Sequence, residues 1–438
     1  MSKRLKIFWI AIAFPILYLS INIHSNTEPF NYRSEIYADK AGYYVYLPAF
    51  FLYDFDVNKF PKEIESKVGK GFSLSKINPK TGNPVVFTKY PYGVALMDVP
   101  FFFAAHAYCK WMEIPADGFS RPYFRMRTFT NWFYTFFGLG LLMYWLRKSF
   151  GFSEPVIMWS IALVLLGTNL LYYCAKDVGL SHNYSLFVMA LFMVYLSRYA
   201  SGFSWGNYII LGLIAGLAVA LRPINVLFIG LLLFWDIKHV SELKYRFLNH
   251  KGQWLVFLLC LGFVLIPQIA YYYYAFGSFL PYSYEEESFI YLSNPKIKEV
   301  LFGLGNGWLS NNPIHLLTLW GIGLMLFKKY INSRIILGLF LGITGLYASW
   351  WSWGLGCGYG HRGYVEFYAI LIVPFAFGIQ KIAQFRNQYA RYAMVALVAL
   401  MVIYNLKLTF AYDGCWYGET AFDVNEWCRL LFEIGFVK

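Results

Sequence analysis

The chain has 438 residues, of which 58% are hydrophobic, 21% aromatic and 14% charged, with a formal net charge of +13. These proportions exclude an ordinary soluble domain, and several uncharged stretches approach the roughly 20 apolar residues that one membrane crossing needs. Lys and Arg in such a chain typically flank membrane spans and contact anionic headgroups, which disfavours a nucleic-acid partner. We therefore predict an all-α polytopic membrane protein.

The first element in chain order is a signal anchor. Basic residues at 3–6 precede the apolar run 7–23, and no small-residue cleavage site follows. This pattern predicts an uncleaved first span with a cytoplasmic N-terminus. Residues 24–127 then form a long external loop. We assign its apolar part, 90–112, to a juxtamembrane or re-entrant element, because a full crossing there would invert every later basic loop.

The remaining hydrophobic runs alternate with short basic loops, which we place in the cytoplasm. The sequence thus predicts a single integral domain, 1–438, with a bundle over 128–408 and an external tail over 409–438. The domain would lie in the inner membrane with its active face in the periplasm. About eleven spans are predicted, at residues 7–23, 128–146, 156–174, 182–198, 206–221, 223–236, 253–272, 313–327, 335–350, 364–380 and 391–408.

The cysteines carry no metal or redox signal. None of the six has C-x-x-C spacing, which excludes the usual zinc and thioredoxin-type motifs. Cys415 and Cys428 both lie in the predicted external tail, where a disulfide between them is left open.

Two acids follow the first span directly. Glu35 and Asp39 are four residues apart and would share one face if this segment were helical. A carboxylate in a partly dry cleft is a good general base, because desolvation raises its pKa towards neutral pH. The alternative is a solvated loop in which Arg33 and Lys40 pair with these acids.

Three cations are candidates for binding an anion. Arg222 lies between two apolar runs, so it either has a carboxylate or phosphate partner or extends its charged end to the membrane surface. Arg362 opens a late span and can bind an anion through two N–H groups. Lys89, in the sequence KYPYG at 89–93, could meet a phosphate, although interfacial anchoring is the commoner role of such residues.

Aromatic and polar side chains on the same external face are candidate substrate contacts. Tryptophans of the glycine-rich segment 350–362 can stack on sugar rings or anchor at the membrane interface. The polar pair that opens the fourth predicted span suits a structural cap as well as a substrate contact. The candidates are Tyr43, Tyr90, His182, Asn183, Trp351, Trp353 and His361.

In the order of these motifs, the chain resembles the GT-C superfamily of membrane glycosyltransferases, which includes protein O-mannosyltransferases and aminoarabinose transferases. The motifs are Glu35 and Asp39 with YYVYLP at 43–48, KYPYG at 89–93, GLSHN at 179–183, Arg222-Pro223, FGS at 276–278 and GHR at 360–362.

The resemblance implies a GT-C-like helical bundle that takes a sugar from a polyprenyl-phosphate donor to a hydroxyl of a glycan, lipid or protein acceptor. It also implies that a first-loop carboxylate is the catalytic base, a role we carry to Asp39. The superfamily often has adjacent acids, whereas Glu35 and Asp39 are four residues apart, so the division of the catalytic role between them stays open. Whether the reaction uses a divalent metal, Mg or Mn, stays open as well.

Two other classes share these features. A transporter or flippase of a lipid-linked sugar would show inverted repeats and polar residues at mid-depth. The sequence shows no repeat, and its polar clusters fall on one face. A membrane acyltransferase would use a histidine such as His182 or His361. We therefore favour an inverting glycosyltransferase in which Arg222, Arg362 and Lys89 stabilise the leaving phosphate.

Overall fold

A computed structural model describes residues 2–199, 202, 204–356, 358–412 and 424–432. These residues form α-helices joined by turns, and the described part contains no β-strand beyond two isolated bridges at 73–87 and 77–84. The helices are α1 Lys3–Ser25, α2 Asp39–Tyr44, α3 Tyr46–Phe51, α4 Ile64–Lys67, α5 Gly93–Trp111, α6 Arg121–Phe150, α7 Glu154–Gly167, α8 Ser181–Tyr199, α9 Trp205–Leu221, α10 Val226–Ile229, α11 Leu231–Phe234, α12 Val240–Leu248, α13 Lys251–Phe276, α14 Ile297–Phe302, α15 Trp308–Asn311, α16 Leu316–Phe327, α17 Ser333–Ser349, α18 Tyr368–Ala383, α19 Gln388–Ala411 and α20 Val424–Phe432.

The ends of the long helices follow local chemistry. The hydroxyl of Ser2 accepts the backbone N–H of Leu5 and caps α1. Helices α6 and α13 each end at a glycine with positive φ, 66° at Gly151 and 67° at Gly277, a conformation that costs glycine little. Helix α9 ends at Leu221, and its C-cap Arg222 is extended because the next residue, Pro223, disfavours a helical conformation before it.

Among the residues that the structure describes, three helices are long and apolar enough to cross a membrane: Lys3–Ser25, Lys251–Phe276 and Gln388–Ala411. They contain the predicted spans 7–23, 253–272 and 391–408. The same residues include six shorter apolar segments, and the count of eleven spans stays a prediction. Two predicted spans are broken: a π-helical turn follows α7 within 156–174, and 223–236 divides into a 3-10 turn, α10 and α11.

The predicted external loop packs around an apolar core of its own. Tyr44, Phe102 and Tyr123 are buried in this core, and Tyr271 near the C-terminal end of α13 joins it. The segment 90–112 contributes the 19-residue helix α5. The loop is therefore a compact cap that packs against α6, α8 and α9 through α5, and it can hold side chains in fixed positions.

A buried ion pair joins the cap to the bundle. Nη1 of Arg127 in α6 donates to Oδ2 of Asp98 in α5 over 2.9 Å, and both side chains are fully buried. Tyr184 of α8 donates to Oδ1 of Asp98, also over 2.9 Å. Arg127 also donates to the Gly179 carbonyl, so the same guanidinium holds the turn that precedes α8.

Candidate active site

A cavity of about 640 Å³ lies between the cap and the bundle. Segments that are distant in the chain meet in its wall, so it exists only in the folded molecule. Of the residues singled out from the sequence, those that line the cavity are Asp39, Tyr43, Lys89, Tyr90, His182, Arg222, Trp351 and Arg362.

Asp39 is the first residue of α2, and its carboxylate is held on both oxygens. Tyr90 donates its hydroxyl to Oδ1 over 2.6 Å, and Arg362 donates from Nη2 to Oδ2 over 3.1 Å. The side chain is 36% exposed, and it borders the cavity. Tyr43 lies beside this group, with its ring centroid 4.7 Å from that of Tyr90 and its hydroxyl accepting from Ser181.

The charges around Asp39 lower its pKa, contrary to the rise expected from the sequence. Burial alone raises the pKa of this carboxyl, but Arg362, the Tyr90 hydroxyl and Lys89 together lower it below its ordinary value. Asp39 is therefore ionised at neutral pH, ready to accept a proton but weakly basic while Arg362 holds it.

A second carboxylate, Glu366, organises the opposite part of the cavity wall. It is fully buried between a 3-10 turn at 362–364 and α18. Its Oε1 accepts from Nη1 of Arg222, and its Oε2 lies 2.8 Å from Nδ1 of His182. The sequence predicted a carboxylate or phosphate partner for Arg222, and the structure supplies a carboxylate.

The two lysines in the wall are also paired. Nζ of Lys89 lies 2.5 Å from Oε1 of Glu287, in the segment after α13. Nζ of Lys40 lies 3.0 Å from Oδ1 of Asp177, in the turn before α8. Glu287 itself borders the cavity. The four cations in the wall are therefore each matched by a carboxylate.

Glycine geometry brings Arg362 to Asp39. Gly360, at φ 64°, has no room for a side chain, because a Cβ there would lie 2.5 Å from Nδ2 of Asn312. Asn312 and Asn169 both donate to the Gly360 carbonyl. The backbone before Arg362 is thus fixed by buried amides of the bundle.

Four candidates from the sequence lie outside the cavity. Glu35 does not share a helix face with Asp39, because the chain turns at Ala38 (φ 47°) and α2 begins only at Asp39. Glu35 is buried instead, where it accepts the hydroxyl of Thr128 over 2.7 Å and lies 3.5 Å from His24. This placement separates it from Asp39 and from the cavity.

The other three have structural partners. Asn183 donates to the hydroxyl of Thr135 and to the Tyr173 carbonyl, as a structural cap would. His361 is buried with Nε2 2.9 Å from the Trp353 carbonyl, and the Trp353 side chain is partly buried against the main apolar core. Burial lowers the pKa of His361 to about 4, so its ring is neutral at physiological pH.

Glu366 was not predicted as a site residue, although the sequence carries a signal for it. It is the sole acid between Glu299 and Asp413, and it lies within the predicted span 364–380. An ionisable residue in such a run usually faces a partner or a cavity. Within the described ranges, no group of three His, Cys, Asp or Glu side chains could hold a metal. The Cys415–Cys428 pairing depends on Cys415, which lies outside the described residues.

The comparisons with known proteins found structural similarity only. No protein-family model matches the chain, and no curated protein sequence matches it. The archaeal oligosaccharyltransferase AglB from Archaeoglobus fulgidus, solved with an inhibitory peptide and a dolichol-phosphate, is similar at 13% identity and a TM-score of 0.48 over 93% of this chain and 56% of that one. The apo oligosaccharyltransferase of the same organism gives 0.47 over the same shares at 13% identity. The chain therefore spans little more than half the length of these enzymes.

Proposed function

We propose that this protein is a membrane glycosyltransferase of the GT-C type, which moves a sugar from a polyprenyl-phosphate donor to an acceptor hydroxyl at the external face of the membrane. One observation carries the proposal: Asp39, Arg222 and Arg362 come from separate parts of the chain and meet at one cavity. Displacement of a phosphate leaving group needs a base and fixed cations beside the same cavity.

Asp39 acts as the general base in this mechanism. Its carboxylate takes the proton of the acceptor hydroxyl while that oxygen forms a bond to the anomeric carbon of the sugar. The bond from that carbon to the phosphate oxygen breaks, and its electron pair leaves with the polyprenyl phosphate. A single displacement of this kind inverts the anomeric centre.

The cations stabilise the departing phosphate. Arg362 already donates to Asp39, so a donor phosphate that takes over this hydrogen bond would relieve one cause of the lowered pKa of Asp39. The base would then become stronger when donor is bound. Arg222 and Lys89 contribute further positive charge at the same cavity, and the rings of Tyr43 and Trp351 offer surfaces on which a sugar can stack.

Product analysis tests this proposal. Purified protein in detergent would be incubated with a panel of labelled polyprenyl-phosphate sugars and with glycan, lipid and peptide acceptors. We expect label to reach an acceptor hydroxyl, with the anomeric configuration opposite to that of the donor. Retention of configuration would contradict the single displacement. Tight donor binding without any turnover would favour a transporter or flippase of the lipid-linked sugar.

A further inference from the structure

Glu366 has a hydrogen-bond arrangement that can be worked out from its neighbours. Nη1 of Arg222 is close to Oε1 of Glu366 and lies 2.8 Å from Nδ1 of His182, which is itself 2.8 Å from Oε2. One ring nitrogen cannot donate and accept at once. An ionised carboxylate can only accept, so the consistent assignment lets Nδ1–H of His182 donate to Oε2, and Nη1 of Arg222 is then a close neighbour of Nδ1 without a hydrogen bond to it.

This arrangement fixes one edge of the Arg222 guanidinium. The group presents five N–H donors in a planar fork, and the structure shows Nη1 committed to Glu366. The Arg222 side chain is 17% exposed, and it borders the cavity, whereas Glu366 is fully buried behind it. The carboxylate therefore contacts the cation from the side away from the cavity.

We infer that Glu366 is a positioning residue for the donor phosphate, because it holds the inner edge of Arg222 so that the outer edge faces the cavity. The inference rests on the proposed function and names a residue that acts through Arg222 without touching the substrate. The segment 362–366 thereby serves both halves of the site: Arg362 reaches Asp39, and Glu366 reaches Arg222.

A purely electrostatic role of Glu366 and a positioning role predict opposite effects of the same substitution on phosphate binding. If Glu366 were only a negative charge near the cavity, Glu366→Gln would make the cavity more positive and strengthen binding of an anion. If Glu366 positions Arg222, the same change loosens the guanidinium and weakens binding. The sign of the change in affinity therefore distinguishes the two roles.

The experiment measures the dissociation constant of a short-chain polyprenyl phosphate in detergent, together with kcat and the donor KM. The variants are Glu366→Gln, Glu366→Asp, Arg222→Lys and the double variant Glu366→Gln/Arg222→Lys. Glu285→Gln is the matched control, because Glu285 pairs with Lys76 away from the cavity wall.

We expect Glu366→Gln to weaken binding of the phosphate about tenfold, with the loss appearing in the donor KM more than in kcat, because bidentate recognition needs a fixed fork. Glu366→Asp should also weaken binding, but by a smaller factor, because its shorter carboxylate can still pair with Arg222 while holding it less firmly, and Glu285→Gln should match wild type. In the Arg222→Lys background, Glu366→Gln should change affinity by less than about twofold, because two groups that act as a unit are not additive.

Unchanged or tighter binding in a monodisperse Glu366→Gln protein would overturn the inference. A full tenfold loss in the Arg222→Lys background would also overturn it, because Glu366 would then act independently of Arg222. If Glu366→Gln does not fold, unchanged affinity in Glu366→Asp would have the same meaning. Wild-type protein that binds no polyprenyl phosphate would overturn the proposed function itself, and this inference with it.

Discussion

At the scale of single residues, the ion pair between Asp39 and Arg362 controls how the site responds to pH. Arg362 and Tyr90 hold the carboxylate ionised, and the net pKa lies below the ordinary value of about 3.9 for an aspartate. The ionised form is the one that accepts a proton. Wild-type kcat/KM, which reports the ionisation of the free enzyme, should therefore be retained as the pH falls until the pH passes below that ordinary value.

Removal of Arg362 should move the acid limb of the pH profile upward. In Arg362→Gln the burial that raises the pKa of Asp39 remains, while the leading interaction that lowers it is lost. As the pH is lowered, we expect kcat/KM of Arg362→Gln to begin falling at a higher pH than in wild type, whatever the maximal kcat/KM of the variant. Lys76→Gln, which removes a cation outside the cavity wall, is the control. An acid limb that does not move would contradict the role given to the ion pair.

A charged partner could be anticipated from the sequence where an unpaired charge would be costly. Arg222 lies between apolar runs, and in the structure it meets Glu366. Glu35 shows where such reasoning stops: its spacing from Asp39 suggested a shared helix face, but a positive φ at Ala38 separates them. Backbone conformation at one residue is set by the surrounding fold, which spacing does not encode.

At the scale of helices, the buried pair between Asp98 and Arg127 should be a main source of the cap's rigidity. It joins α5 to α6, and Arg127 also holds the turn before α8. Asp98→Asn leaves a buried guanidinium without its counter-charge, which typically costs about 3–5 kcal/mol. Denaturant unfolding in detergent, followed by tryptophan fluorescence, measures this loss.

Glu28→Gln provides the matched comparison, because Glu28 pairs with Arg121 at an exposed position. Exposed pairs contribute less than about 1 kcal/mol. Equal losses in the two variants would show that Asp98 and Arg127 do not form the pair that anchors the cap.

Helices α16 and α18 pack through a glycine, which gives a test within one helix. A Cβ at Gly321 would lie 1.8 Å from the Pro374 carbonyl oxygen, whereas a Cβ at Gly323 would meet nothing within 4 Å. Gly321→Ala should destabilise the protein by about 1–3 kcal/mol or more through overpacking. Gly323→Ala should be neutral or stabilising by up to about 1 kcal/mol. Thermal unfolding of the two variants should therefore diverge, and similar melting temperatures would refute this packing.

Helix positions were more predictable than helix continuity. Runs of apolar residues located α1, α13 and α19, because burial and membrane insertion both select composition. The break after α7 was not predicted, since Asn169, which follows that helix, makes its side-chain contacts with residues far away in the chain. Asn169 donates to the backbone at Tyr359 and Gly360. Such contacts leave no periodic signal.

At the scale of the whole molecule, the account requires the cavity to open on the external side. Thr81 lies in the cap, and Lys148 lies at the end of α6, in a loop predicted to be cytoplasmic; both residues are exposed. In intact cells, a membrane-impermeant maleimide should label Thr81→Cys and should label Lys148→Cys only after the membrane is permeabilised. The unsubstituted chain measures the background labelling of the native cysteines. The reverse labelling would invert the orientation.

The central claim is that Asp39 is the base of a glycosyl transfer, and one measurement tests it most directly. The rate of sugar transfer from a polyprenyl-phosphate donor would be compared between wild type, Asp39→Asn and Asp54→Asn. Asp54 is a matched control because it is an exposed aspartate of the cap that pairs with Lys59. The account predicts a loss of about 100-fold or more in Asp39→Asn with donor affinity retained, and wild-type rates in Asp54→Asn. Transfer at the wild-type rate by a folded Asp39→Asn protein would contradict the account.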